Sequence, residues 1–158
     1  MSKVTRIDWT FTTSTQAGSG TDSPVSLEIM RDGRTIVNVF DEPGETERLD
    51  RGEVATRFWQ FRSPNNIGVS VSGVAIPYTE DFPNGVRGHL VVRLRIHGDD
   101  AWRKDNIAST VWSGELHGIP GTIDSFQWVE TGESFNFGQD VVLSTNAAEG
   151  VTTWELRY

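Results

Sequence analysis

The sequence predicts an all-β protein, and within that class an antiparallel β-sandwich. Three observations lead to this prediction. Apolar residues recur with a period of two along most of the chain. The alternating runs are short, and turn-forming residues separate them at 31–34, 41–45, 63–66, 83–85 and 118–121. No apolar stripe with helical spacing is long enough to predict a helix.

The predicted strands follow one another from the N-terminal end of the sequence. In the first of them Ile7, Trp9 and Phe11 alternate with polar residues, as expected for a strand with one face in the core. The full set of alternating runs is 4–12, 25–29, 36–40, 56–61, 69–76, 90–96 and 151–158. This order predicts a single sandwich domain over residues 1–158, with an insertion at about 62–88.

Composition and charge restrict the classes of partner. The chain has 158 residues, a formal net charge of −8 and no cysteine. This charge repels phosphate backbones, so we expect no nucleic-acid partner, and attraction to anionic lipid requires a bridging cation. Without cysteine, disulfides and thiolate metal sites are excluded. No signal-peptide pattern and no transmembrane run is visible, so we expect cytoplasmic synthesis and leave the final location open.

Three acidic segments stand out, AGSGTDSPVSLEI at 17–29, DEPGETERLDRG at 41–52 and DDAWRKDNI at 99–107. Calcium binds six to eight hard oxygens, which carboxylates and backbone carbonyls supply. Gly20 and Gly44 lack a Cβ, which allows backbone oxygens to approach an ion closely. The segments therefore predict a possible calcium site, and the competing interpretation is a solvated acidic rim.

The three segments, in this order, resemble the PLAT (lipoxygenase/alpha-toxin) domain family, and within it the C-terminal lipid-binding domain of clostridial alpha-toxin. The matching features are the GTD before a strand, the D-x-P-G loop, and the acidic pair followed by Asn-Ile. They cover residues 4–61 and 89–110. The resemblance implies a PLAT-like sandwich of eight antiparallel strands, whose loops at one end hold calcium and dock on lipid or a protein partner.

Carried over position by position, the resemblance implies two metal sites. Gly20, Asp22, Asp100 and Ala101 would supply the first. Gly18 stands at a ligand position where relatives often carry an acidic residue, which implies weaker binding. Glu42, Gly44 and Glu45 would supply the second site. The aromatic tip that relatives insert into membranes is absent, because the chain reads RLRIHGDD before this acidic pair.

The metal prediction has a geometric condition, which is that Asp22 and Asp100 lie at the same end of the sandwich. The strand at 90–96 must then begin at the opposite end, so segment 62–88 must leave that end and return to it. Four residues of this insertion, Ile76, Pro77, Tyr78 and Phe82, could form an exposed contact patch. The alternative is a hairpin that covers the sandwich. Trp102, in the predicted acidic loop, is a further candidate contact.

No catalytic motif is recognisable, so we expect a protein that is not an enzyme. The histidines His89, His97 and His117 are too dispersed to predict a site. The leading hypothesis is a non-catalytic, calcium-supported module that docks on lipid head groups or a protein partner. The alternatives are a structural subunit of a virion, filament or secretion machine, which should form oligomers or bind a partner, and a sugar-binding sandwich. The sugar-binding alternative would use Trp102, Trp112 or Trp128.

Overall fold

Two antiparallel β-sheets pack against each other, which confirms the predicted all-β sandwich. The structure is a computed structural model that describes residues 2–41, 49–61, 69–71 and 74–158. In these ranges the chain forms strands, turns and loops. No helix in the described ranges is long and apolar enough to cross a membrane.

The larger sheet is built around the first strand of the chain. Its main path consists of β1 (Ser2–Thr13), β4 (Val54–Gln60), β9 (Trp102–Gly118) and β10 (Phe126–Phe137), in the spatial order β10-β9-β1-β4. Two short strands extend it: β7 (Glu80–Phe82) pairs with β1, and β11 (Val141–Leu143) pairs with β9. The strand that begins the sequence therefore lies inside the sheet, between β9 and β4.

The smaller sheet has the spatial order β12-β8-β2-β3. It consists of β2 (Val25–Arg31), β3 (Arg34–Asp41), β8 (Leu90–Ile96) and β12 (Thr153–Arg157). The turn between β2 and β3 has positive φ at both central residues, Asp32 (49°) and Gly33 (78°). Such a pair of residues is typical of the two-residue hairpin turns whose twist matches the flanking strands.

The core lies between the two sheets and includes the inward-facing apolar residues of the predicted runs, together with residues of β9 and β11 that no predicted run contains. On the larger sheet Ile7, Trp9 and Phe11 are buried, while their polar neighbours are only partly buried. On the smaller sheet the buried residues of β8 are Leu90, Val92, Leu94 and Ile96. The period-two pattern thus places one face of each sheet in the core, as expected for a sandwich.

The insertion differs from its predicted form. Residues 69–76 were expected to form one strand, but they form two, β5 (Val69–Val71) and β6 (Val74–Ile76), which pair with each other in antiparallel fashion. The sequence between them is Ser-Gly, a turn-forming dipeptide. Strand β6 lies beside β10, the last strand of the main path of the larger sheet.

The chain then returns as the geometric condition requires. After β6, strand β7 pairs with the first residues of β1, and β8 begins opposite the end of β2, with Leu90 facing Arg31. Strand β8 consequently runs toward the end of the sandwich at which β2 begins. The loops before β2 and after β8 therefore lie at the same end.

Candidate functional site

The loops at this end form one surface, the loop end, comprising residues 14–24, 49–53 and 97–101. Backbone hydrogen bonds join its parts. The amide of His97 donates to the carbonyl oxygen of Pro24 at 2.8 Å, and the amide of Ser14 donates to that of Arg103 at 2.9 Å. Because these bonds connect segments far apart in sequence, the loops are fixed relative to one another.

Asp22 and Asp100 come together at the loop end. The backbone amide of Asp22 donates to Oδ2 of Asp100 at 3.2 Å, and the amide of Asp100 donates to Oγ of Ser23 at 3.2 Å. Both aspartates are exposed, as is the adjacent Asp99. The structure thus meets the geometric condition that the sequence set for a shared site.

Gly20 has a structural role at the loop end. A Cβ atom at this position would lie 2.9 Å from the backbone nitrogen of Arg51, a distance that real Cβ atoms do not tolerate. Next to it, the amide of Thr21 donates to the carbonyl oxygen of Leu49 at 2.9 Å. The missing side chain therefore lets the first and second loops pack backbone against backbone.

Of the remaining predicted ligand positions, the structure describes Gly18 and Ala101. Gly18 has φ of 74°, in the left-handed region that favours glycine, and nothing lies within 4 Å of its Cβ position. Ala101 is half-buried next to Asp100. The other predicted ligands, Glu42, Gly44 and Glu45, lie outside the described residues.

The donor set at the loop end consists of hard oxygens, which fits calcium better than a softer ion. The loop end offers the carboxylates of Asp22 and Asp100 and also the buried Oγ of Ser19, which has no hydrogen-bond partner among the described residues. Ser19 lies between Gly18 and Gly20, two of the predicted ligand positions. In the described ranges no three His, Asp or Glu side chains are close enough together to hold a metal by themselves.

Trp102 was expected to be an exposed contact residue, and this prediction is wrong. Its side chain is 0% exposed, because β9 begins at this residue and turns it into the core. The indole packs edge-to-face on Phe11 with ring centroids 5.7 Å apart. Its Nε1 donates to Oγ1 of Thr13 at 2.9 Å. Trp102 therefore anchors the start of β9 beneath the loop end and cannot contact a partner.

The predicted contact patch of the insertion is also wrong for Phe82, which is 0% exposed. Its strand, β7, pairs with the start of β1, and this pairing directs Phe82 into the core. Ile76 is half-buried, and Tyr78 is 44% exposed. Pro77 is also half-buried, so of the four residues of the predicted patch Tyr78 alone is exposed.

The other two tryptophans considered for sugar binding are half-buried on the β9–β10 hairpin. Nε1 of Trp112 donates to Oδ2 of Asp8 at 2.9 Å. The ring of Trp128 covers Gly114 on the neighbouring strand, where a Cβ would lie 2.1 Å from the ring. Both indoles therefore take part in cross-strand packing.

Lys104 is a buried cation that the sequence pattern did not predict. It is 0% exposed, and its Nζ donates to the carbonyl oxygen of Gln139 and lies 5.9 Å from the ring centre of Trp154. Burial lowers the pKa of the Lys104 ammonium below its ordinary value of 10.5. Lys104 follows Trp102 by two residues, and side chains two residues apart on a strand lie on the same face. This spacing is the one feature of the sequence that indicates an inward-facing Lys104.

Comparison with known proteins gives no family assignment. No protein-family model matches the chain, and neither a curated protein nor a solved structure is significantly similar to it.

Proposed function

We propose that the protein is a non-catalytic binding module of PLAT type that docks through its loop end, with calcium as a supporting ion. The target would be an anionic group, either on lipid head groups or on a protein partner. The observation that supports this proposal is the hydrogen bond between the amide of Asp22 and the carboxylate of Asp100, which brings two predicted ligand segments into contact.

The charge of the chain explains why a cation is part of the proposal. At a formal net charge of −8 the protein repels anionic surfaces, and Asp22, Asp99 and Asp100 concentrate negative charge at the loop end. Bound calcium would neutralise these carboxylates and attract an anionic group of the target. Asp22 and Asp100 would hold the ion with carboxylate oxygens, and Gly20 and Ala101 with backbone carbonyls.

The architecture below the loops favours a rigid docking surface. Trp102 and the buried part of β1 hold the start of β9 in the core, and Gly20 packs the first loop on the second. A site whose ligands are held in place loses less conformational entropy on binding. The proposal therefore needs no large rearrangement of the described loops.

Thermal unfolding with EDTA and with millimolar calcium tests the ion. At free calcium of about one hundred times Kd, linkage gives about 2.7 kcal/mol of stabilisation, which raises the Tm by about 5–10 °C for a domain of this size. Asp22→Asn and Asp100→Asn should each reduce this shift strongly. Asp124→Asn is the matched control, because Asp124 is exposed in the turn after β9, at the other end of that strand. Absence of any shift, or equal shifts in all variants, contradicts the calcium site.

Co-sedimentation with vesicles tests the target. With calcium, vesicles that contain phosphatidylserine should bind the protein, vesicles of phosphatidylcholine alone should not, and EDTA should release it. A calcium-dependent Tm shift without vesicle binding would exclude the lipid target and leave the protein partner. The missing aromatic tip leads us to expect adsorption to head groups without insertion into the hydrocarbon layer.

A second candidate function, the structural subunit of an assembly, is favoured by the tip of the β9–β10 hairpin. Ile123 is 90% exposed there, and Ile119 is exposed beside it. Exposed apolar residues at a projecting tip favour burial against another subunit. Light scattering over a range of concentrations should show association that Ile123→Asp abolishes, whereas a monomer at all concentrations argues against this candidate.

A further inference from the structure

A crevice runs along the outer edge of β12, opposite the segment that follows β10. Its volume is about 800 Å³, within the range of ligand sites in proteins. Its lining includes aromatic, amide and guanidinium side chains: Phe137, Gln139, Trp154, Arg93, Arg95 and Arg157. This crevice is distinct from the loop end.

The edge of β12 offers backbone hydrogen-bonding groups to the crevice. The amide of Ile96 donates to the carbonyl oxygen of Thr152, and the amide of Tyr158 donates to that of Leu90, both at 3.2 Å. Because hydrogen-bonded residues alternate along an antiparallel pair, the backbone groups of residues 152, 154, 156 and 158 form their hydrogen bonds with β8. The amides and carbonyls of Thr153, Glu155 and Arg157 therefore face the other side. In the described part of the chain no strand pairs with them.

The crevice is basic although the protein is acidic. It contains three guanidinium groups and one carboxylate, that of Glu155. Arg93 is held between Glu155 at 3.0 Å and Glu28 at 3.3 Å. Arg157 also contacts Glu155, but its side chain is 74% exposed. Arg95 is exposed and makes no ion pair with any described residue. Arg95 and Arg157 are therefore open to an anionic ligand.

We propose that this crevice docks an extended acidic peptide segment of a partner protein, which adds to β12 as a further antiparallel strand. Main-chain bonds to an open edge supply affinity in this mode, and alternate side chains supply specificity. The proposal uses a surface other than the loop end and does not require calcium.

The pairing of β12 with β8 predicts which residue types the peptide should carry at each position. Thr153 faces Arg95 across the pair, and Glu155 faces Arg93, so the odd-numbered residues of β12 share the outer face with these arginines. Peptide residues opposite Thr153 and Arg157 are four apart and should be acidic. The residue opposite Glu155 should be neutral, because like charges on adjacent strands repel. The two intervening residues face Trp154 and Phe137 and should be apolar.

A labelled peptide tests this pattern directly. The probe carries aspartate, valine, threonine, valine and aspartate in this order, with two glycines at each end and fluorescein at the N-terminus. The control probe has lysine in place of both aspartates. Fluorescence anisotropy in EDTA should show binding of the acidic probe and at least tenfold weaker binding of the lysine probe. Equal binding of the two probes, or none of the acidic one, overturns the proposal.

Protein variants then locate the probe. Arg95→Glu and Arg157→Glu should each weaken binding at least tenfold. Arg34→Glu should leave it unchanged, because Arg34 is exposed at the β2–β3 turn, outside the crevice. Thermal melts of all variants confirm that they fold. Full binding by both crevice variants would place the peptide elsewhere and refute the assignment.

A proline at Thr153 separates strand addition from simple charge attraction. Thr153→Pro removes an amide that faces the open edge and leaves the ladder to β8 intact, and proline is accepted at the first residue of an edge strand. We expect Thr153→Pro to weaken binding at least tenfold and Thr153→Val to have little effect. Unchanged binding by the proline variant rejects strand addition. A different outcome is a protein dimer that Thr153→Pro dissociates and with which the probe does not compete. This outcome would assign the edge to a second copy of the chain and would also reject the proposal.

Discussion

Replacing Lys104 with methionine should stabilise the protein at neutral pH. Lys104 is fully buried, and among the described residues its Nζ has a single hydrogen bond, to the carbonyl oxygen of Gln139. Methionine has a similar length and shape, so Lys104→Met removes the charge without leaving a large cavity. The carbonyl that loses its donor belongs to an exposed residue, so water can replace the ammonium.

The size of the effect follows from three contributions. Burial of an ammonium ion costs several kcal/mol, about 4–5 for a site with partial compensation. The hydrogen bond from a charged donor returns about 1.5–3 kcal/mol. The contact with Trp154 is 5.9 Å long, near the limit of cation–π attraction, and adds about 0.5 kcal/mol. The balance favours methionine by about 0.5–3 kcal/mol, which corresponds to about 1–12 °C in Tm.

The pH dependence of the free energy of unfolding provides an independent test of the same argument. Because the folded-state pKa of Lys104 is lowered below 10.5, the penalty is fully present below the folded pKa, where both states bind the proton. Between the folded pKa and 10.5 the unfolded chain binds more protons, so the stability of the wild type rises with pH. The advantage of Lys104→Met should therefore be largest at pH 7 and shrink as the pH approaches 10.5.

Urea unfolding followed by tryptophan fluorescence at several pH values between 7 and 10.5 measures this difference. Alkaline effects on other groups occur in both proteins and cancel in the comparison. Lys3→Met is the control, because Lys3 is only partly buried and should show a small difference that does not vary with pH. A Lys104→Met protein that is less stable than the wild type at pH 7, or a difference that stays constant with pH, would refute the argument.

Three further substitutions test the core and the loop end by urea unfolding. Tyr158→Phe should cost about 1–3 kcal/mol, because the buried Nε1 of Trp9 loses the hydroxyl to which it donates at 2.9 Å; no loss would mean that another acceptor replaces it. Trp102→Ala should cost about 3–5 kcal/mol, and a cost below about 1 kcal/mol would contradict its role as an anchor. Gly20→Ala should cost about 1–3 kcal/mol, because its Cβ would meet the backbone of Arg51, and it should weaken calcium binding; a neutral effect on both would show that the loops can separate without consequence.

Alternation of apolar residues predicted β1 to β4, β8 and β12, but the predicted runs contain neither β9 nor β10, two of the four main strands of the larger sheet. Where it is regular, as in Ile7, Trp9 and Phe11 or in β8, the strand lies where the sequence places it. Counting chain reversals gave only the condition under which Asp22 and Asp100 share one end, because each antiparallel strand reverses the direction of the chain. The return of the chain through β7 to β8 meets this condition.

The wrong predictions for Trp102 and Phe82 have a common physical cause. Where the apolar alternation is weak, the neighbouring strand with which a segment pairs determines which side chains face the core. The start of β9 reads as an acidic loop because Lys104 occupies an inward position and interrupts the apolar alternation after Trp102. Pairing with β1 and, at Trp102 and Arg103, with β11 nevertheless extends the strand through this region. Phe82 is a similar case, since a strand of three residues carries too little pattern to show which side faces the core. The crevice beside β12 could not be predicted, because segments distant in sequence form its two sides.

The interior position of β1 affects how the chain can acquire its structure. Trp9 pairs with Ser109, so the residue opposite it is synthesised 100 positions later. At about 5–20 residues per second, the ribosome needs about 5–20 s to supply that partner. During this interval the edge of β1 that pairs with β9 is open, and an apolar strand with an open edge is prone to aggregate or to bind a chaperone. Slow synthesis or chaperone depletion should therefore lower the soluble yield more than the stability of the finished fold would suggest.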